Sequence, residues 1–291
     1  MTQVFASTLV LASLYALVGV GYVLIYRASR VLSLAQGDLM MFGGYALFAA
    51  SATLAVPPLV AIGLALGASF AAGLAIYVVL MRRMAGHPVF AAVLVTVSVG
   101  ILLRVVVVLA YTDEIRHPAA AMAIANPPIA LPGGAAVSTI DALTVGAAAL
   151  VLTALYVFLR GSRLGIRMRA AGERPLLAAQ RGIDFRGVFA LSWALASLTG
   201  GIAGMLYATN VRLEPGAGVI GLRAFAVVLV GGLDSLGGVL PAALLVAAVE
   251  VLTVRYGNPL LADVSPFACL LVMLLLRPWG IAGTREELDR V

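Results

Sequence analysis

The chain has 291 residues, 63% of them apolar and only 11% charged, with a mean hydropathy of +1.09. A soluble domain is roughly 45–50% apolar and about 25% charged, so too few charges are present to cover a water-facing surface; a soluble enzyme, a disordered chain, a disulfide scaffold and a nucleic-acid binder are excluded. The formal net charge of +6 reflects 19 basic residues, all arginine, against 13 acidic ones, and their clustering between apolar runs reports membrane topology instead of a polyanionic ligand.

Met1 to Tyr26 runs without a charge. No basic leader precedes it, so it reads as a retained first span and not a secretory signal. Further apolar stretches follow at Val31 to Ala55, Pro58 to Met81, Val89 to Tyr111, Ile140 to Leu159, Val188 to Ala208, Phe225 to Val254 and Leu260 to Leu276. Each approaches or exceeds the roughly 20 residues of a helical crossing. Leu143 to Leu159 shows none of the alternation of a barrel strand. The expected fold is therefore an all-α polytopic membrane protein of about eight transmembrane helices, one domain over residues 1–291.

The arginines orient it. Arg27 and Arg30 follow the first span, Arg82 and Arg83 the third, and the segment of about 160–187 follows the fifth. That segment carries Arg160, Arg163, Arg167, Arg169, Arg174, Arg181 and Arg186 against Glu173 and Asp184, which places all three loops in the cytoplasm and the N-terminus outside. Thr112 to Thr139, with Asp113, Glu114, its prolines and Gly133-Gly134, faces the other side. Gly231, Gly232, Gly237 and Gly238 interrupt the seventh stretch, which reads as a broken or re-entrant segment with Asp234 or Ser235 as N-cap of its second half. In the tail Arg277, Arg285 and Arg290 face Glu286, Glu287 and Asp289, and this balance leaves the side of the C-terminus open.

Polar residues in apolar surroundings are the candidate pathway or gating groups. Gln36-Gly37-Asp38 lies about one turn into the second stretch; Asp38 either lines a pathway or reaches the interface or an arginine. Arg104 lies deep in the fourth stretch, facing a functional interior or snorkelling past Tyr111. Glu250 is expected to pack against the cytoplasmic loop or to pair with Arg255. His87 and His117 sit beside prolines without a partner, and Cys269 is a lone apolar-run cysteine, so no metal site and no catalytic constellation assembles. A chain without lysine has no phosphate-binding Gly-x-x-x-x-Gly-Lys-Ser/Thr. It is not an enzyme by itself, it binds no cofactor, and any ATP hydrolysis belongs to another chain.

In the cytoplasmic segment, Pro175 suits the first position of a helix, Leu176 to Arg181 makes about two turns, and Gly182 closes it. Leu176 and Leu177 then sit on a helix with no bilayer to hide in. A partner's groove and a basic loop held at anionic headgroups remain equally open.

This segment resembles the coupling loop of bacterial ATP-binding-cassette importer permeases, with Arg169-Ala170 followed by a helix holding Ala178 and then Gly182-Ile183. More widely, Tyr15-Ala16-Leu17, Gly21, Leu24-Ile25-Tyr26, Ala35-Gln36-Gly37-Asp38, Met41, Gly43 and Tyr45 stand in the order of the H-type permease of the branched-chain amino-acid importers, the Liv family. So do Gly221-Leu222-Arg223-Ala224-Phe225, Gly231-Gly232, Ser235, Gly238, Glu250, Arg277-Pro278, Gly280 and Gly283. The chain departs from that family at Ser33 and Gln36, where Asn and His are usual, and at Asp234, where Gly is usual. The resemblance implies a multi-pass permease of the bacterial inner membrane for branched-chain amino acids, related amino acids, urea or short amides. It also implies a second, M-type permease, two cytosolic ATPase subunits holding ATP and Mg, and a periplasmic binding protein. Arg169, Ala170, Leu176, Leu177, Ala178, Arg181, Gly182 and Ile183 would carry the ATPase coupling. The alternative is an ion-coupled secondary transporter using Asp38, Asp234 or Glu250, for which no inverted repeat is visible.

Overall fold

The computed structural model describes residues 2–122, 126–131, 135–173 and 175–283. Its helices are α1 (Thr2–Ser29), α2 (Gln36–Phe48, extended by a π turn over Ala49–Thr53), α3 (Pro58–Val79), α4 (Val89–Tyr111), α5 (Pro118–Ala121), α6 (Thr139–Gly161), α7 (Arg163–Glu173), α8 (Pro175–Gln180), α9 (Phe185–Asn210), α10 (Val219–Gly231), α11 (Leu236–Tyr256) and α12 (Ser265–Leu276). The one exception to the all-α pattern among the described residues is a short antiparallel pair, β1 (Pro128–Leu131) with β2 (Ala135–Ser138), in which Pro128 faces Ser138. Six of the described helices (α1, α3, α4, α6, α9 and α11) are long and apolar enough to cross a bilayer, and α12 and the run Pro215–Gly231 are shorter apolar helices. The protein is a multi-pass membrane protein.

Local chemistry sets the helix starts. Ser138 and Asp141 form a reciprocal capping box on α6, with Asp141 N donating to Ser138 Oγ at 3.0 Å and Ser138 N donating to Asp141 Oδ2 at 3.2 Å. Asp184 accepts from the Arg186 and Gly187 amides at the start of α9, and Pro58 occupies the first turn of α3, where a missing N–H costs nothing.

Burial separates centre from periphery. In the most apolar 18-residue windows, 78% of α1 and 67% of α9 are buried, against 28% of α3, 28% of α4 and 22% of α6. Trp193, Tyr15 and Leu17 are fully buried at this centre, whereas Leu59, Leu109 and Leu150 stand exposed on outer helices, the pattern of surfaces made for lipid tails or another apolar chain. α2 packs closely on α9, because both present glycine: a Cβ on Gly43 would fall onto Gly201, and one on Gly204 would fall into the Met40 carbonyl.

The three arginine-bearing segments converge on one end of the bundle. Arg30 Nη2 donates to the Gly172 carbonyl at 3.3 Å, and Tyr77 near the end of α3 meets Phe189 near the start of α9 edge-on. At the other end Tyr111 stacks with Tyr45, Arg116 N donates to the Leu213 carbonyl and Asn210 Nδ2 donates to Asp141 Oδ1 at 2.7 Å. The chain returns to the arginine-rich end after α12, where Ile281 N and Ala282 N donate to the Val230 and Gly231 carbonyls at 2.8 and 3.1 Å.

Two expected stretches are redrawn. The second does not begin as a helix at Val31: residues 31–35 are non-helical, and α2 starts at Gln36. The seventh divides into two helices that pack on one another, α10 and α11, with the break at the arginine-rich end. Gly232 takes a φ of +102° after α10, which only glycine adopts without strain, and Ser235 caps α11 by accepting from Gly238 N at 3.1 Å. The tail charges Arg285, Glu286, Glu287, Asp289 and Arg290 lie outside the described residues, as do Arg174 and Gly133-Gly134.

Candidate functional site

Asp38 occupies the first turn of α2 and accepts from Arg104 Nη2 of α4 at 2.9 Å. The arginine partner expected for Asp38 is thus present, and the pairing by itself leaves a place on a pathway open. The pair is asymmetric: the carboxylate side chain is 12% exposed and the guanidinium side chain 46%. Gly100 and Gly218 press on it, since a Cβ on either would collide with Asp38 oxygens. Gly37 lies against Gly218 and Gly221, so the starts of α2 and α10 meet beside the ion pair. Both short helices therefore begin inside the bundle, an arrangement tolerated only where the chain is buried in protein or lines a cavity.

Around these starts lies a polar layer. Gln36 Nε2 donates to the Ala196 carbonyl at 2.7 Å, Tyr22 OH donates to the Gly221 carbonyl at 3.0 Å, and Leu34 N donates to Thr96 Oγ1 at 3.0 Å. Ser33 and Gln36 are almost wholly buried, and Ser33 Oγ and Gln36 Oε1 have no partner among the described residues. Within the non-helical stretch 31–35, the Leu34 amide finds a side-chain partner in Thr96, as a backbone group outside a helix needs.

Glu250 corrects an expectation. It pairs with neither Arg255, which is exposed, nor the arginine-rich loop. Tyr15 OH of α1 donates to Glu250 Oε2 at 2.6 Å, and Arg223 Nη1 of α10 donates to Oε1 at 2.8 Å. Arg223 Nη2 also donates to Asp263, which is exposed beyond α11. One buried carboxylate thus ties α1, α10 and α11 together. Tyr15, Tyr22, Arg223 and Asp263 were not candidates on the sequence, although Tyr15 and Arg223 stand among the family-like residues.

At the arginine-rich end, α8 is closed as expected from Pro175 and Gly182. Gly182 has φ +71°, and Gly182 N and Ile183 N donate to the Ala179 and Ala178 carbonyls at 3.0 and 3.1 Å, the paired bonds of a Schellman cap. The preceding residues, expected as loop, form α7, whose buried face is Gly165, Met168, Ala171 and Gly172 and whose first turn is capped by Ser162 Oγ, accepting from Gly165 N at 2.9 Å. Ala178 is buried and Leu177 is 50% exposed; the side chain of Leu176 lies outside the described residues. Ala170, Glu173, Leu177, Ala178, Arg181 and Ile183 line a groove of about 360 Å³ between these elements. Arg169 lines a second cavity with Glu173, Asp234 and Ser235. The proposed coupling and pathway residues thus fall in four places: the groove at α8, the ion pair at α2, Glu250 with Tyr15 and Arg223, and the turn at Gly231, Gly232, Asp234 and Ser235. Among the described residues no group of three or more His, Cys, Asp or Glu side chains is placed to hold a metal ion.

Residues 4–275 match the family model described as branched-chain amino acid transport system / permease component. The chain is 29% identical to the high-affinity branched-chain amino acid transport system permease protein BraD of Pseudomonas aeruginosa, over 99% of this chain and 97% of that one. It is 28% identical to the corresponding LivH of Escherichia coli, over 97% and 94% of the two chains. It is 26% identical to a probable branched-chain amino acid transport permease protein LivH of Methanocaldococcus jannaschii, over 97% and 92%.

Proposed function

The chain belongs to the branched-chain amino acid transport permease family, and from that premise we propose that it is the membrane permease subunit of an ATP-binding-cassette importer in the cytoplasmic membrane. Its cargo is a branched-chain amino acid or a related small amino acid or amide. It pairs with a second permease, receives its cargo from a periplasmic binding protein, and is driven by two cytosolic subunits that hold ATP and Mg.

The observation that carries this reading is the groove between α7 and α8. A short helix capped at Gly182 and half-exposing Leu177 has no bilayer to cover it and offers an apolar step of defined shape to a soluble partner. Its connections suit a lever. α7 leads into α8, Arg30, just past the end of α1, holds the Gly172 carbonyl, and Arg27 of α1 approaches Glu173 at 3.7 Å. A displacement of α8 therefore reaches α1, and through Tyr15 and Glu250 it reaches α10 and α11. Rigid elements joined by such contacts move as bodies. The pathway is assigned to the region where α2 and α10 begin, with Asp38, Arg104, Gln36 and Ser33 as its polar groups. A half-exposed guanidinium at membrane depth is costly against lipid, so Arg104 faces a polar pathway or the paired permease. The ion-coupled alternative loses support from the same geometry, since Asp38 and Glu250 are both neutralised by arginine.

The test is purification of the tagged chain from its native membrane in mild detergent, alongside a Leu177→Glu variant. Recovery of an ATPase pair and a second permease with the native chain, and loss of the ATPase alone in the variant, is the expected result. Recovery of the native chain alone, under conditions that keep other importers intact, overturns the reading.

A further inference from the structure

One further cavity lies apart from the ion pair at α2 and borders the groove at α8 only through Glu173. It is a cleft of about 810 Å³ at the arginine-rich end, between α6 and α11, with Val20 of α1 at its back. Its walls are apolar, with Leu152 and Leu159 on α6 and Val239 and Leu240 on α11. Its rim is charged, by Arg27, Arg160 and Arg169 against Glu173 and Asp234, so guanidiniums outnumber carboxylates. Arg27 is engaged by Glu173 at 3.7 Å. Arg160 and Arg169 have no carboxylate within salt-bridge distance among the described residues, and Arg169 Nε is buried without an acceptor. Arg160 instead lies over the Tyr156 ring, 4.7 Å from its centroid.

We propose that this cleft holds an anionic phospholipid of the arginine-side leaflet, its phosphate at Arg160 and Arg169 and one acyl chain between α6 and α11. Three features select this occupant. The cleft opens sideways, where Tyr156 is 55% and Leu240 50% exposed, toward the space that lipid fills. From Leu152 to Leu159 the apolar wall runs about 10 Å along α6 below the guanidiniums, longer than a small solute needs and suited to an acyl chain. Basic pockets between transmembrane helices at the cytoplasmic side are a recurring site for anionic headgroups, and the Arg160 and Arg169 guanidiniums at this rim have no carboxylate partner among the described residues. The bound lipid would fasten α6 and α7 to the turn between α10 and α11, beside the segment proposed for coupling. The inference rests on the membrane placement alone and holds whichever solute is carried.

The test is native mass spectrometry of the chain with the subunits that co-purify, extracted in mild detergent and titrated with phosphatidylglycerol or phosphatidylethanolamine. Phosphatidylglycerol is expected to be retained preferentially. Arg160→Gln with Arg169→Gln should reduce that retention more than ~tenfold, while the Lys double variant, which keeps the charge, retains it. Leu240→Trp, which fills the cleft and leaves the arginines, should also lose the lipid. Thermal unfolding of each variant identifies any that fail to fold, and the Lys and Trp variants then decide the matter. Equal retention of the two lipids, or retention unchanged in both the Gln and Trp variants, overturns the proposal. So does displacement of the lipid by millimolar inorganic phosphate, which would make the site one for a free anion. Loss of lipid only when the second permease is present would show that a protein helix closes the cleft, and also overturns it.

Discussion

A carboxylate inside a membrane bundle is kept only with its charge answered, and the two ion pairs differ in how completely this is done. Glu250 is 5% exposed and receives hydrogen bonds from Tyr15 and Arg223. Arg223→Met should strand that charge and destabilise the protein by about 3–5 kcal/mol. Tyr15→Phe, which removes one hydrogen bond to a charged group, should cost about 1.5–3 kcal/mol. Thermal unfolding of the purified variants orders them; equal losses would mean that Arg223 contributes no charge compensation. On the proposed pathway role of Asp38 and Arg104, Asp38→Asn and Arg104→Gln should each lower uptake at least ~tenfold while the subunits still co-purify. The charge swap Asp38→Arg with Arg104→Asp should recover assembly but not full uptake. Single variants with native uptake would remove the pair from the pathway. That Asp38 and Glu250 need partners was legible from the rarity of carboxylates in apolar runs. Their partners were not, because Arg104 lies 66 residues from Asp38 and Arg223 lies 27 from Glu250. Arg255 was the nearer choice for Glu250, but five residues along a helix turn it about 140° away from Glu250.

Helix ends carry the information at the scale of elements. The bounds of α8 were readable because proline starts and glycine stops a helix by backbone chemistry alone, and the cap at Gly182 is the one those residues demand. The arginines of α7 dominate its composition and suggest a loop, whereas the Ser162 cap and the spacing of Gly165, Met168 and Ala171 carry the helix. The start of α2 was hidden for the opposite reason: apolar composition continues through residues 31–35, where the backbone leaves the helix to bring Gly37 against Gly221. Gly182→Val places a β-branched residue at φ +71° with no neighbour within 4 Å of its Cβ. Its penalty is therefore conformational, about 1–2 kcal/mol, and confined to the end of α8. In reconstituted vesicles ATP hydrolysis should continue while uptake falls, and Gly182→Asn, which tolerates this backbone, should restore much of the uptake. Coupled uptake in Gly182→Val would detach α8 from the coupling role. Gly204→Leu tests packing instead: it drives a side chain into the Met40 carbonyl, and α2 cannot then seat on α9, so the folded yield in membranes should collapse.

Across the described residues, one asymmetry organises the fold, with Arg27, Arg30, Arg82, Arg83, Arg160, Arg163, Arg167, Arg169, Arg181 and Arg186 gathered at a single end. Charge alone left the C-terminal side open, because the tail balances. The structure supplies what charge could not: α10 and α11 are two helices with a turn at the arginine-rich end, α12 runs back toward it, and Ile281 and Ala282 dock on the carbonyls that end α10. With the positive-inside rule, this geometry places residues 81–87, 160–173, 175–187 and 277–283 in the cytoplasm and residues 112–122 and 257–264 outside. Single cysteines introduced into a Cys269→Ala background test all of these at once. In intact cells a membrane-impermeant thiol reagent should label cysteine at Glu114 or Asp263, and should reach cysteine at Arg83, Gln180 or Ala282 only after the membrane is opened. Labelling of Ala282→Cys from outside, with Gln180→Cys still protected, would mean that the chain does not return through α12. The docking of residues 281 and 282 beside α10, and with it the closed end of the cleft between α6 and α11, would then be wrong.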